Sequence, residues 1–321
     1  MNSKTFAISN IKFWTSFWVH MRPYLLFISG IAGMAGMAMG KPLTEINIYF
    51  VLAAIAFFLS YGFGQALTDC YQVDTDKISS PYRPLSKEII RIRDVKLISI
   101  IGLIFCVVFL LLPNYRNIVF GILSIIGLWT YSGIKRHYWF LGPVHNAWIV
   151  ALLPIMGYLV TSGAGFSGIL NLELMVLVLM NFFAYANFVL IGYLKDIEAD
   201  RKTGYKTFPV VHGWDKTVFL GVIISIVSAV LCAWIIDWSI YSTICFILAC
   251  TLAATGHFHS IFTNEKSEEN ARIPIEMTVR SFLLWNLAVI FSLVPSLSLW
   301  LVAYYLIFEF VLYLRPDFNQ I

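Results

Sequence analysis

Charge is scarce in this chain. Asp, Glu, Lys and Arg together make up 12% of its 321 residues, about half the share of an ordinary soluble domain. Set beside 59% apolar residues and a mean hydropathy of +0.79, that shortage excludes a water-soluble globule. Cysteine is sparse and odd in number: Cys70, Cys106, Cys232, Cys245 and Cys250 form no CxxC pair, and four of the five sit in apolar stretches. Neither a disulfide framework nor a zinc site is expected from that pattern. Disordered and collagen-like chains are excluded as well, because neither carries long apolar runs with a 16% aromatic share.

What fills the chain instead is apolar sequence in lengths suited to a bilayer. A spanning helix needs about 20 mostly apolar residues. Ten stretches qualify: 23–39, 46–67, 95–112, 117–134, 144–162, 172–194, 217–236, 239–260, 280–295 and 297–314. Only Val294, Pro295 and Ser296 separate the last two, so they read either as a helical hairpin or as one span followed by a surface helix, and nine spans stay open. The expectation is an all-α polytopic membrane protein, with an interfacial segment (1–22), a single transmembrane domain (23–315) and a short tail (316–321).

The basic residues set the expected orientation. Of 22 Lys and Arg residues, 20 fall in the even-numbered loops and at the two ends, while only Lys41 and Arg116 lie on the other face. Short cytoplasmic loops collect basic residues, which predicts that both ends and the four large loops face the cytoplasm. Near the N-terminus, Ile8, Ile11, Trp14 and Trp18 recur at helical steps, the pattern of a helix lying in the membrane interface. Lys12 and His20 interrupt this segment and no small-residue cleavage site follows, so it does not read as a signal peptide.

Acidic residues are less evenly spread still. After the second span the chain reads LTDCYQVDTDKISSPYRPL (67–85), and after the sixth YLKDIEADRKTGYKTFPVV (193–211). Each segment opens with carboxylates leaving a span and closes with basic residues and a proline. Asp69 and Asp196 stand 127 residues apart with four spans in each interval, which predicts two related four-helix halves around a central cavity. On a continuing helix Asp69, Gln72 and Asp76 share one face while Asp74 points elsewhere; Asp196 and Asp200 share a face and Glu198 turns away. Asp69 and Asp196 are both expected at solvated loop ends.

Paired carboxylates at two helix ends make an oxygen-rich, strongly negative site, which calls for a divalent cation. Mg2+ suits it, because that ion binds through a few carboxylates and keeps water and substrate phosphate oxygens in its shell. Arg83, Lys195, Arg201 and Lys206 in the same loops offer charge-assisted hydrogen bonds to a diphosphate. For any single carboxylate a solvated loop, paired internally or with lipid headgroups, explains as much; two matched clusters on one face fit it poorly.

These segments resemble the two aspartate-rich motifs of the UbiA superfamily of intramembrane prenyltransferases, NDxxDxxxD followed by PxRPL, and DxxxD followed by Gly, Lys-Thr and Pro. The matching positions are Asp69, Asp76, Pro81, Arg83, Pro84 and Leu85, then Asp196, Asp200, Gly204, Lys206, Thr207 and Pro209. The likeness extends to Arg22-Pro23 and to Tyr131-Ser132 with Lys135-Arg136. Thr68 stands where the family has Asn, and Gln72 where it has the second aspartate. Gln72 keeps a carbonyl acceptor but brings no negative charge, which makes Asp74 a candidate to compensate.

The resemblance implies transfer of a prenyl group from an allylic prenyl diphosphate to a lipophilic acceptor, with release of diphosphate; an aromatic ring is the first expectation, and a chlorin alcohol, haem or glycerol phosphate lipid is equally compatible with the superfamily. It assigns Asp69, Asp76, Asp196 and Asp200 to Mg2+ with Gln72 as a neutral ligand, and Arg22, Arg83, Lys135 and Lys206 to the diphosphate. Thr68, Gln72 and Tyr131 complete the substrate set. Asn146 and Asn187 offer hydrogen bonds to an acceptor oxygen, although an intramembrane Asn as often joins two helices. Of Tyr61, Phe63, Tyr131, Phe183, Tyr185 and Phe188, a minority is expected to offer π faces to an allylic cation and the rest to pack or face lipid. Membrane lipid is an expected partner and nucleic acid is not. A terpene cyclase of the same architecture would use the same loops. A two-repeat transporter fits less well, because transporters place ionisable groups near the midplane and not at span ends.

Overall fold

The computed structural model describes residues 5–40 and 47–315; Lys4, Lys41 and the tail 316–321 lie outside them. Among the described residues there is no strand, only a bridge between Phe6 and Ile90. Asn10 caps the first helix, α1 (Ile11–His20), its side chain accepting from the Lys12 amide at 2.9 Å. Phe13 and Phe17 are buried while Ile11, Trp14 and Trp18 are exposed, so the helix is two-faced as its spacing predicts. Ile8 departs from that pattern: it precedes the cap, is half-buried, and its carbonyl accepts from Trp14 Nε1 at 2.9 Å.

A turn at Pro23–Leu25 leads into α2 (Leu26–Gly40), followed by α3 (Ile48–Asp69), a short α4 (Val73–Ser79), α5 (Ile92–Leu111) and α6 (Asn117–His137). The chain continues through α7 (Leu141–Ser162), α8 (Leu172–Gly192), short α9 (Ile197–Thr203) and α10 (Phe208–His212), and then α11 (Trp214–Ile235), α12 (Ile240–Phe262), α13 (Arg272–Leu293) and α14 (Ser298–Tyr313). Among the described residues, ten helical segments are long and apolar enough to cross a membrane, the number read from the sequence.

Consecutive spans pack side by side from α2 to α12, and α13 closes the ring by packing on both α12 and α2. α2 also packs on α7, where small residues let two backbones touch. A Cβ at Gly36 would lie 2.0 Å from the Pro154 carbonyl oxygen, and one at Gly157 2.1 Å from that of Gly33. Such close approach supplies packing where the surroundings are as apolar as the side chains.

The ninth span begins at Arg272, eight residues before the apolar stretch read from the sequence. Arg272, Glu276 and Arg280 make those first turns look like loop, but their charges are paired. Glu276 accepts from Arg272 at 2.9 Å, Arg280 at 3.1 Å and Arg315 at 2.6 Å, and Arg280 grips both oxygens of Glu309 at 2.8 and 2.9 Å. The same pairs bring α14 back along α13, so the last two stretches form a hairpin. α14 sits outside the ring with most of its surface exposed.

Three loops converge at one end of the bundle. The hydroxyls of Thr75 and Thr203 lie 2.9 Å apart, Arg136 donates to the Thr203 carbonyl at 3.0 Å, and the Lys206 amide donates to the Arg136 carbonyl at 3.1 Å. Both acidic loops are thereby drawn over one cavity, bounded by α3, α6, α7 and α8.

Candidate active site

The second span does not continue as the sequence suggests. α3 stops at Asp69, the chain turns through Cys70 and Tyr71, and a new helix starts after Gln72. Asp69, Gln72 and Asp76 nevertheless line one polar vestibule of 110 Å³, because the turn, and not helical periodicity, swings them together. Asp196 reaches the same vestibule from the last residue of a 3-10 turn, Tyr193–Asp196, that extends α8.

Each buried carboxylate here has a cation against it. Asp69 is 2% exposed and neither solvated nor at a loop end: Arg22 Nη2 donates to its Oδ2 at 2.5 Å, Gln65 Nε2 to its Oδ1 at 2.6 Å, and Arg83 stands 3.7 Å away. Arg83 also pairs with Asp76 at 2.7 Å. Arg22 is one of few non-glycine residues with positive φ, at 54°, immediately before Pro23. That conformation is strained for a side-chain-bearing residue, and the Asp69 pair holds it.

Burial pushes the Asp76 carboxyl above its ordinary value; Asp69 and Asp196 add to the rise and Arg83 opposes it. For Arg83 burial works against the charge, but Asp76 and Asp69 more than offset it and keep the guanidinium firmly protonated. The His20 ring lies 3.8 Å from Asp69, and burial lowers its pKa to about 4, leaving it neutral.

Asp200 does not share the vestibule with Asp196. It is fully buried, accepts from Thr207 at 3.0 Å and pairs with Lys135 at 3.4 Å. Lys135 in turn donates to the Gln72 carbonyl at 3.1 Å, so Asp200 meets the vestibule through that ammonium. Lys206 is exposed outside it, and Asn187 is buried facing α11. Thr68 lines the apolar chamber below and donates to the Gln65 carbonyl at 2.9 Å. Asp74, the candidate to compensate for Gln72, is exposed and pairs with Arg136 at 3.3 Å, away from the vestibule.

Tyr61, Gln65, Asn146 and Tyr185 line both the vestibule and a chamber of 80 Å³, so the two adjoin at these side chains. The chamber runs down past Leu103, Leu128, Ile149 and Leu153. Tyr185 donates to the Tyr61 hydroxyl at 3.1 Å, and the Tyr131 and Tyr193 hydroxyls lie 2.9 Å apart. Of the six candidate aromatics, Tyr61, Tyr131, Tyr185 and Phe188 line the two cavities, a majority where a minority was expected; Phe63 packs at Gly102 and Phe17, and Phe183 against Phe182. Gln65, Tyr193 and His20 escaped the sequence reading. Gln65 precedes Asp69 by one helical turn, and that spacing was the available signal.

The donor set is hard oxygen, three carboxylates and one amide carbonyl, which suits Mg2+. Among the described residues, no three His, Cys, Asp or Glu side chains converge closely enough to hold a metal by themselves.

The profile of the UbiA prenyltransferase family matches residues 26–287, which include both acidic loops and the helices that carry them. The chain belongs to the UbiA prenyltransferase family. UbiA membership together with the ten apolar helices makes it an integral multi-pass membrane protein and sets aside the transporter reading. α14 lies beyond the UbiA match. Among similar proteins is the digeranylgeranylglyceryl phosphate synthase of Methanosphaera stadtmanae, 25% identical over 205 residues, covering 63% of this chain and 72% of that one. The protein of the same name from Thermococcus sibiricus is 27% identical over 217 residues, covering 65% and 73%. The UbiA fold is shared with two solved structures. A homologue from Aeropyrum pernix superposes with a TM-score of 0.68 at 16% identity, over 80% of this chain and 94% of that one. One from Archaeoglobus fulgidus, described as bound to GPP and Mg2+, gives 0.65 at 19% identity, over 86% and 99%.

Proposed function

We propose that this protein is a Mg2+-dependent prenyltransferase that moves a prenyl group from an allylic prenyl diphosphate to a lipophilic acceptor, releasing diphosphate. The observation that carries this reading is a vestibule charged with both signs that adjoins, across Tyr61 and Tyr185, a mainly apolar chamber. That order of polarity suits a diphosphate joined to a hydrocarbon chain. The relative described as bound to GPP and Mg2+ supports the same donor and ion.

Asp69, Asp76 and Asp196 are assigned to the ion, with the Gln72 carbonyl as a neutral ligand. An Mg2+ ion held by them would supply positive charge to stabilise the leaving diphosphate. Arg22, Arg83 and Lys135 meet the remaining negative charge of the leaving group. Asp200 acts through Lys135 by holding its ammonium toward the vestibule. The Tyr61 and Tyr185 rings offer π faces to the allylic cation, and the acceptor proton leaves with the released diphosphate. The prenyl chain lies in the chamber, where each buried CH2 contributes about 0.8 kcal/mol.

The sequence reading favours an aromatic acceptor. The name of the relatives, digeranylgeranylglyceryl phosphate synthase, favours instead the hydroxyl of a glyceryl phosphate lipid. The basic residues, 20 of 22 on one side, assign the aspartate face and both chain ends to the cytoplasm. The test is diphosphate release from C10 to C20 prenyl diphosphates, with and without Mg2+, in the presence of phenolic acceptors or geranylgeranylglyceryl phosphate, followed by mass spectrometry. Mg2+-dependent release with a prenylated acceptor is expected. Release giving only hydrocarbon or alcohol indicates a cyclase or a hydrolase, and no release with any pair sinks the proposal.

A further inference from the structure

His20 takes no part in the chemistry set out above, yet it stands against Asp69. It is 1% exposed, and neither ring nitrogen has a hydrogen-bond partner. An unpaired polar group shut away from water is costly, and in a native structure it calls for a reason. Its Nε2 lies 3.8 Å from Asp69 Oδ2, just beyond hydrogen-bonding reach.

The helix that carries the ring is firmly seated. Phe13 and Phe17 of α1 are buried in one apolar cluster with Leu85, Ile90, and Ala66 and Cys70, which flank Asp69 in the chain. Ahead of the helix, the Phe6 amide donates to the Ile89 carbonyl at 2.9 Å. Asp69 lines the vestibule and His20 does not, so the imidazole meets the carboxylate from behind. His20 also precedes the UbiA match, which begins at residue 26.

Asp69 shares its closest donor with the substrate. Arg22 donates to Oδ2 at 2.5 Å and also lines the vestibule, where it is assigned to diphosphate. Arg83, 3.7 Å from the same oxygen, is drawn to Asp76 at 2.7 Å and has the same assignment. A guanidinium that turns to diphosphate loosens its hold on Oδ2, while Oδ1 keeps the Gln65 amide at 2.6 Å. Carboxylates that hold a metal are themselves fixed by hydrogen bonds from behind.

We propose that His20 is a positioning residue for Asp69: as Arg22 engages diphosphate, the imidazole N–H takes over Oδ2 and keeps the carboxylate aimed at the vestibule. A neutral imidazole has one N–H to give, and reaching a bonded distance of about 2.9 Å asks for a movement of about 1 Å. The inference rests on the assignment of Asp69 to Mg2+ and of Arg22 to diphosphate.

Thermal unfolding of the full chain in detergent tests this without turnover. At fixed inorganic diphosphate, Mg2+ is expected to raise the melting temperature, and the Mg2+ concentration giving half of the rise is the readout. His20→Leu is expected to move that midpoint upward about tenfold, the usual effect of losing a hydrogen bond behind a metal ligand. Without Mg2+ and diphosphate the same variant is expected to melt no lower than the parent, because an apolar side chain replaces an unpaired polar one. His20→Gln, whose amide N–H can stand where Nε2 does, is expected to stay within about threefold of the parent. A midpoint that His20→Leu leaves unchanged overturns the proposal, and so does one that His20→Gln shifts as far. If His20→Leu does not fold, nitrogen-15 spectra of the histidine-labelled parent decide. The His20 resonance, identified as the one missing from His20→Gln, is expected to move when Mg2+ and diphosphate are added together; an unmoved resonance overturns the proposal. No stabilisation of the parent by Mg2+ sinks the metal assignment along with it, whereas a saturable rise that ignores His20 sinks the proposal alone.

Discussion

Lys135 Nζ donates to the Gln72 carbonyl at 3.1 Å while standing 3.4 Å from Asp200. The amide at position 72 thus does for the ammonium what a carboxylate would do, without adding charge to the vestibule. Gln72→Asp is expected to lower the half-saturating Mg2+ concentration about fivefold, since one more charge at close range is worth roughly 1 kcal/mol in a water-accessible site. Titrating diphosphate release against Mg2+ checks it; an unchanged midpoint would remove position 72 from the metal.

Asp69 and Asp196 differ in what their loss does to the fold. Asp196 is half-buried and lines the vestibule, so Asp196→Ala is expected to abolish turnover with the melting temperature unchanged. Asp69→Ala is expected to abolish turnover and also destabilise the protein, by about 3–5 kcal/mol, because Arg22 is left buried without its partner. Thermal unfolding in detergent, measured beside activity, separates the two.

Asp74→Ala is expected to be mild. Its pair with Arg136 joins two side chains each 43% exposed, and such pairs contribute about 1 kcal/mol or less. Turnover within twofold of the parent is the expected result, and complete loss would return Asp74 to the site.

The acid limb of activity is expected to follow Asp76. Burial raises its folded-state pKa, so the protonated form persists to a higher pH than in an ordinary carboxyl. Activity requiring the carboxylate is then present above that raised value and is lost as pH falls through it. Mg2+ competes with the proton, so a tenfold rise in Mg2+ should move the limb to lower pH. A pH–rate profile at two Mg2+ concentrations measures this, and a limb that stays in place would assign it to another group.

Much of the architecture was legible because bilayer solvation imposes one-dimensional rules. Apolar length marked the ten spans. The start of α13 was missed because Arg272, Glu276 and Arg280 look like loop; Glu276 pairs locally with both arginines, and Arg315 and Glu309, distant in sequence, complete the network. Asp69, Gln72 and Asp76 were grouped correctly for an incorrect reason, since helical phase was invoked where a turn operates. Asp200, Lys206 and Asn187 were grouped with the vestibule by spacing or residue type, and the loop and helix packing that diverts them has no local signature.

The sequence by itself determined the solvent, the apolar stretches, the two acidic loops and the family, because each depends on residue type within a short window, and it left nine or ten spans open. Tertiary structure decided which carboxylate meets which cation, and that Asp200 reaches the vestibule only through Lys135. It also decided that α14 folds back outside the ring. Those outcomes depend on directions of side chains carried by helices far apart in the chain, set by close contacts such as Gly36 against Pro154, and no periodicity encodes them.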